Sequence, residues 1–305
     1  MPNNAGSLSL CPALVERVSR FTLDRLAEAL SPLGDFAEGD LLAPGKMVRT
    51  RFAARLLEAL PEADSRAVEV CCAATELVHT GSLCHDDVID GGLIRRSMPT
   101  LWRKTSSSAA ILIGDLLVCD AVRLMLSLDD RRWIDPFMDK LRQTIGAEAR
   151  QELFFRGKPV DEATCLRLAR CKTGALFSFA AMVCGGNDPT LTAALEECGY
   201  RIGTAYQLAD DLLDFIGSPD ASGKTLGTDA ARGKHTLAEK DDSGFVVTGG
   251  HVRRLCGSAL EKLSDWPGAQ QAAAAFLTED WQPVLDRQKL PLNLMEAATV
   301  GWGAS

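Results

Sequence analysis

Several features are missing from this chain of 305 residues, and each absence excludes a class of protein. Runs that alternate apolar and polar residues are nearly absent, apart from a doubtful Phe245-Val246-Val247, so there is little to build a β-sheet from. No excess of Lys and Arg is present: the formal charge is −8 and no basic stripe interrupts it, which argues against non-specific nucleic-acid binding. No apolar run approaches the roughly 18 residues of a membrane span. The N-terminus lacks a charged start followed by an apolar core, so no signal peptide is expected. The ten cysteines have no metal-finger spacing. Cys71-Cys72 are adjacent and the others lie scattered among apolar residues, as expected for buried free thiols in a reducing cytoplasm.

What remains is an ordinary globular composition, 46% hydrophobic and 24% charged, in a chain long enough to bury a substantial core. Helical periodicity dominates. Leu14, Val18, Phe21, Leu26 and Leu30 form one stripe, ended by Ser31-Pro32; Phe52, Leu56, Leu57 and Leu60 form a second, stopped by Pro61. A long helix is expected from Asp64 to about Asp90, with only Gly81 to interrupt it. A loop should run from Gly91-Gly92 to about Lys104, followed by helices near 106–129, 133–156, 162–184 and 189–217. A Gly-rich loop over 218–236 precedes about two more helices, the first beginning near Gly257 and the last ending near Lys289. The expected fold is all-α, one large helical bundle of about ten helices in a single domain over 1–305, with 1–8 and 290–305 as tails.

Of four Asp-Asp pairs, two have a third aspartate four places after the first: Asp86-Asp87-Val88-Ile89-Asp90 and Asp210-Asp211-Leu212-Leu213-Asp214. On a helix the first and third aspartates stand one turn apart on one face, with the middle one beside them. Like charges at that spacing destabilise a bare helix, so a cation is expected to offset them. Both motifs interrupt apolar stretches, where an acid is costly unless paired or metal-bound. A ligand set made only of carboxylates suits Mg²⁺, which keeps several waters and takes its remaining ligands from phosphate. Both motifs sit near the ends of long helices, and cations follow each in the adjoining loop: Arg95-Arg96 after the first, Lys224 and Lys234 after the second.

With these features in place, the chain resembles the trans-isoprenyl diphosphate synthases, or polyprenyl synthetases. The resembling stretches, in order, are Gly45-Lys46-x-x-Arg49, Glu76-Leu77-Val78-His79-Thr80, His85 to Asp90, Arg95-Arg96, Gly114-Asp115, Lys172-Thr173, Gln207 to Asp214, Gly223-Lys224-x-x-Gly227-x-Asp229 and Gly233 to Leu237. The resemblance implies a bundle of the isoprenoid-synthase type around a central cavity. It implies that Asp86, Asp90 and Asp210 ligate Mg²⁺ (three ions with bound diphosphate, Mn²⁺ as a substitute), assisted by Asp87, Asp211 and Asp214. Arg95, Lys172, Lys224 and Lys234 would hold an allylic diphosphate (dimethylallyl, geranyl or farnesyl), and Lys46, Arg49, His79 and Arg96 isopentenyl diphosphate. Arginine forks suit phosphate oxygens, and lysine acts as a point charge. Thr173 and Gln207 would face the allylic cation, with no general-base side chain required. A cytoplasmic homodimer is the family's usual form.

In the family, bulky aromatics five and four places before the first aspartate favour short products. Gly81 and Ser82 occupy those places here, implying an open tunnel floor and a product of about twenty carbons or longer, unless Gly81 merely permits close helix packing or Phe154 or Phe155 blocks the floor. The chain departs from the family pattern at Pro44 and Ser97 in place of glycines, and at Thr50 and Ala238 in place of prolines. About twenty residues separate Leu237 from the helix expected near Gly257, fewer than is usual. That shortening keeps open the alternative of a non-catalytic or regulatory subunit. A class I terpene cyclase shares the fold and the first motif, but the second Asp-rich motif and the cationic set speak against it.

Overall fold

The computed structural model describes residues 10–30, 45–216, 248–290 and 292–295. Helix α1 spans Leu10–Leu30 and buries Leu14, Val18 and Leu26 from the expected stripe. Helix α2, Val48–Ala59, buries Phe52, Leu56 and Leu57 and stops short of Pro61, whose ring clashes with a continuing turn. Helix α3, Ser65–Ile89, is capped by Asp64, whose carboxylate accepts the backbone N–H groups of Arg66 at 2.9 Å and Ala67 at 3.1 Å. Its buried side chains, among them Val68, Cys71, Cys72, Leu77 and Cys84, lie on every side, so α3 is a central rod of the bundle.

The stretch expected as a loop after Gly92 is partly ordered. Strands β1 (Ile94–Arg95) and β2 (Met98–Pro99) form a small antiparallel hairpin, followed by a one-turn helix, α4 (Leu101–Lys104). Two-residue strands are too short to leave an alternation signal. Thr100 Oγ1 and Trp102 Nε1 both donate to the Gly92 carbonyl, each at 2.8 Å, and tie the hairpin to the end of α3.

Helix α5 (Ser107–Leu126) lies along α3, and α6 (Ile134–Arg150) runs into a wide π-turn over Gln151–Phe155. The helix expected over 162–184 is present but carries a π-bulge: α7 (Glu162–Ala169) runs through a π-turn over Arg170–Gly174 into α8 (Ala175–Met182). Such bulges recur at functional sites, and this one carries Lys172 and Thr173. Helix α9 spans Pro189–Ile216, and α10 (Thr248–Glu261), α11 (Pro267–Ala275) and α12 (Gln282–Arg287) complete the described chain, α11 and α12 being joined through a π-turn over Phe276–Trp281. The protein is all-α, a bundle of about ten helical rods, and no described helix is long and apolar enough to cross a membrane.

Two boundaries differ from the sequence reading. Helix α10 spans Thr248–Glu261 rather than beginning near Gly257; Val252, Cys256 and Ala259 give it a buried stripe, and Leu292 packs over Gly249. Packing of that face outweighs the weak helix propensity of Gly249-Gly250. In the segment expected as a C-terminal tail, Leu290, Leu292 and Leu294 are buried. Gln282 pins it, donating to the Leu292 carbonyl at 2.7 Å and accepting from the Leu294 N–H at 3.0 Å. Arg55 of α2 pairs with Asp280 and Glu279, each at 2.8 Å, and anchors the C-terminal rods to the bundle. Helix is therefore already present at Thr248, nine residues before Gly257.

Of the ten free cysteines, eight are buried as expected, whereas Cys171 is half-buried and Cys119 exposed. The Gly-rich loop over 218–236 and Phe245-Val246-Val247 lie outside the described residues.

Candidate active site

A cavity of about 510 Å³ opens between α3, α6, α9 and the β1–β2 hairpin. Asp86, Asp87 and Asp90 reach it from the last turn of α3, and Asp210, Asp211 and Asp214 from the last turns of α9. Lys46, Arg49, His79, Arg95, Arg96, Lys172, Thr173 and Gln207 line the same space. Every site residue expected from the sequence thus meets at one cavity, except Lys224 and Lys234, which lie outside the described residues.

The first acidic motif divides its labour. Asp87 is buried and both its oxygens are taken by Arg95: Nε donates to Oδ1 at 2.9 Å and to Oδ2 at 3.0 Å, with Nη2 at 2.8 Å from Oδ1. Burial pushes the Asp87 carboxyl up against the opposing pull of Arg95. Burial also works against the Arg95 charge, but Asp87, then Asp86 and Asp210, outweigh it and raise the guanidinium above its usual range. One arginine fork therefore feels both aspartate motifs across the cavity.

The cations deeper in the cavity are held differently. Arg49 is buried, its Nε has no hydrogen-bond partner, and its guanidinium lies 5.2 Å from the centre of the Phe177 ring. Burial lowers the Arg49 and Arg96 guanidinium pKa values, with Glu76 opposing in both. Burial, then Arg49 and Arg96, pushes His79 well below the ordinary histidine range, so it is neutral near pH 7. A buried cation with an unsatisfied donor is costly without an anion. Arg96 and Ser97 both have positive φ, 52° and 62°, at the hairpin turn; Ser97 keeps the left-handed backbone for which glycine is the usual residue, and the Arg96 guanidinium sits 3.2 Å from where a Cβ on Gly45 would stand. Thr50, in the place of the family's proline, donates to the buried Glu76 carboxylate at 3.1 Å.

On the π-turn, Lys172 Nζ is 2.5 Å from Glu148 Oε2. Burial opposes its charge, yet Asp86 and Glu148 outweigh burial and hold its pKa above the usual lysine range. Thr173 Oγ1 donates to Gln207 Oε1, and Gln207 Nε2 donates to Asp211 Oδ1 at 2.8 Å.

Glu76, Tyr206 and Glu148 are among the lining residues that have no role assigned from the sequence. Tyr206 packs on Trp281 and Phe177 at 5.3 and 5.5 Å, and burial followed by Asp210 pushes its hydroxyl up to about 12. Glu76 lies within one of the resembling stretches, whereas Glu148 reads as an ordinary polar position on an amphipathic helix and no motif marks it.

The tunnel floor needs correction. Gly81 does not open a channel: it is buried against α5, where an added Cβ would lie 2.8 Å from the Gly114 carbonyl oxygen and 3.3 Å from Val118 Cγ2. Two glycines let α3 and α5 approach closely, and His85 Nε2 reaches across to the Ile111 carbonyl at 3.0 Å. Ser82 does line the cavity; Phe154 is exposed and neither it nor Phe155 lines that space.

Among the described residues, no three carboxylate, imidazole or thiolate groups form a ready-made metal cage. The donor set is nonetheless all oxygen, two carboxylate clusters facing one cavity. That set fits Mg²⁺, which is commonly bound by one or two carboxylates plus substrate phosphates rather than by an all-protein cage.

A bundle enclosing one cavity with an aspartate motif on each of two long helices defines a protein of the isoprenoid-synthase fold. Comparison with known proteins agrees. The polyprenyl synthetase family model matches residues 33–239. The octaprenyl diphosphate synthase of Haemophilus influenzae is 30% identical over 227 residues, covering 73% of this chain and 68% of that protein. The geranylgeranyl diphosphate synthase of Mycobacterium tuberculosis is 36% identical over 211 residues, covering 66% of this chain but only 57% of its own length. Among solved structures, a polyprenyl synthase from Caulobacter crescentus, complexed with calcium and isoprenyl diphosphate, superposes with a TM-score of 0.70 at 25% identity, over 94% of this chain and 97% of that one. A Helicobacter pylori geranyltransferase complexed with magnesium and isoprenyl diphosphate shares the fold, with a TM-score of 0.70 at 21% identity over 92% of this chain and all of that one. The chain belongs to the polyprenyl synthetase family, the trans-prenyl diphosphate synthases.

Proposed function

We propose that this chain is a Mg²⁺-dependent trans-prenyltransferase that condenses isopentenyl diphosphate with an allylic diphosphate and makes geranylgeranyl diphosphate or a longer product. The observation that carries this reading is the convergence of both aspartate motifs and the cationic set on one cavity of about 510 Å³. Bound between Asp86, Asp90 and Asp210, Mg²⁺ would neutralise the diphosphate as it leaves. Lys172 and Arg95 orient the allylic diphosphate from the cavity wall, Arg95 held in place by Asp87. Lys46, Arg49, Arg96 and neutral His79 take the diphosphate of the second substrate, which supplies the anion that buried Arg49 lacks.

The C–O bond to the allylic diphosphate breaks first, and the pair of electrons leaves with the diphosphate. The Thr173 and Gln207 oxygens face the resulting cation, and Leu83, Ile145 and Leu176 help to keep water from it. The isopentenyl double bond then forms the new C–C bond, and the proton lost from the adjacent carbon goes to the departing diphosphate.

Support for a long product rests on Ser82, a small residue on the cavity wall. Relatives point both ways, since a farnesyl diphosphate synthase of Geobacillus stearothermophilus is 32% identical over 210 residues. A homodimer is part of the proposal: Ile111, Leu112 and Leu116 leave an apolar face of α5 42%, 62% and 48% exposed, which a second copy would cover.

The experiment is to incubate the purified protein with Mg²⁺, labelled isopentenyl diphosphate and dimethylallyl, geranyl or farnesyl diphosphate in turn, and to size the dephosphorylated products. Elongation to geranylgeranyl or beyond is expected. No elongation with any primer would refute the enzyme reading, and products ending at farnesyl would refute the length.

A further inference from the structure

Among the cavity acids outside both aspartate motifs, Glu76, Glu148 and Glu152, Glu148 is in direct contact with Lys172. It projects from α6 as the last member of a polar stripe, Lys140, Gln143, Thr144 and Glu148, spaced to fall on one helical face. That face meets the π-turn and α9. Tyr200 Oη donates to Gln143 Oε1 at 2.7 Å and accepts from Lys140 Nζ at 2.9 Å; Thr144 Oγ1 donates to the Cys171 carbonyl at 3.4 Å; and Glu148 meets Lys172 at 2.5 Å. The first three members are buried or face protein. Thr144 and the Glu148–Lys172 pair line the cavity, the side chains of Lys172 and Glu148 being 24% and 15% exposed.

We propose that Glu148 is a built-in anion that occupies Lys172 in the empty site and is displaced when the diphosphate of the allylic substrate arrives. This rests on the reading that the cavity takes a diphosphate. Asp86 and Asp90 already favour the Lys172 charge, so Glu148 in direct contact adds a competitor for the incoming anion. A diphosphate offers more charge and more acceptor oxygens than one carboxylate, so it wins the ammonium group when metal-bound. Once it departs, Glu148 reclaims Lys172. Glu148 is thus a positioning residue that sets how tightly the diphosphate is held.

The test is calorimetric titration of inorganic diphosphate with Mg²⁺ into the wild type and Glu148→Gln, together with steady-state kinetics. Removing the competing charge should tighten diphosphate binding by roughly fivefold or more, allowing for partial solvent screening. KM for the allylic substrate should fall while KM for isopentenyl diphosphate stays unchanged, a split that a loss of packing does not produce. If Glu148→Gln does not fold, Glu148→Asp, with its charge withdrawn by one methylene, should tighten binding by about twofold. Unchanged or weaker binding in the variants, or failure of both to fold, overturns the inference. Wild-type protein that binds no magnesium diphosphate would instead overturn the reading of the cavity.

Discussion

Replacing Gly81 by alanine separates a packing glycine from an open tunnel floor, because the two roles give opposite signs. In the structure the new Cβ would stand 2.8 Å from the Gly114 carbonyl oxygen, 3.3 Å from Val118 Cγ2 and 3.5 Å from Leu117 Cβ. The nearest of these is backbone and cannot swing aside, so α3 and α5 must part. Overpacking of this kind costs about 1–3 kcal/mol. Alanine in place of glycine inside a helix returns about 1 kcal/mol. The net expectation is a loss of up to about 2 kcal/mol, which for a chain of this size lowers the thermal midpoint by up to about 3 °C. The assay is a thermal melt followed by circular dichroism, run alongside product sizing with each primer. Length of product should not change. Were Gly81 instead exposed to the tunnel, the Cβ would meet nothing, alanine would raise the midpoint and the product would shorten; that pair of results would refute the packing account.

Ser82→Phe should shorten the longest product by one or more isoprene units, because Ser82 lines the cavity; unchanged products would remove it from the tunnel wall. Tyr200→Phe strips a hydroxyl that bridges Lys140 and Gln143 and should cost about 1–3 kcal/mol in a urea melt. Burial keeps the His79 pKa below its unfolded value, so the unfolded chain binds the proton first and stability falls as pH drops below about 6.5, by up to about 1.4 kcal/mol per pH unit. Urea midpoints between about pH 7 and 5 should show that slope, and His79→Gln should flatten it; an equally steep slope in the variant would contradict the assignment.

The parts of this protein legible in its sequence are those where the chemistry is local. Leu14, Val18 and Leu26 betray α1 by spacing alone, and the repeated Asp-Asp-x-x-Asp pattern marks the two helix ends that meet at the cavity. The illegible parts depend on neighbours distant in the chain. Gly81 and Ser82 look alike as small residues, but only Gly114, on another helix, shows that the first is a packing contact. The π-turn over Arg170–Gly174 interrupts a sequence with ordinary helical periodicity, and it is held by Thr144 and Tyr200 from α6 and α9. Glu148 carries no motif, and its pairing with Lys172 exists only once α6 and the π-turn meet. Helix α10 runs through Gly249 and Gly250, and Leu292, far along the chain, packs over Gly249.

The central claim is that divalent ions grip a diphosphate between the carboxylates of α3 and α9. Crystals grown with Mn²⁺ and an unreactive thio-analogue of the allylic substrate test it directly, through anomalous scattering from the metal. The account predicts ions bridging the diphosphate to Asp86 and Asp90 on one side and Asp210 on the other, with no such signal in Asp86→Ala or Asp210→Ala protein that keeps its helical fold. Ions bound elsewhere, or a diphosphate seated in the cavity without touching either aspartate motif, would contradict it.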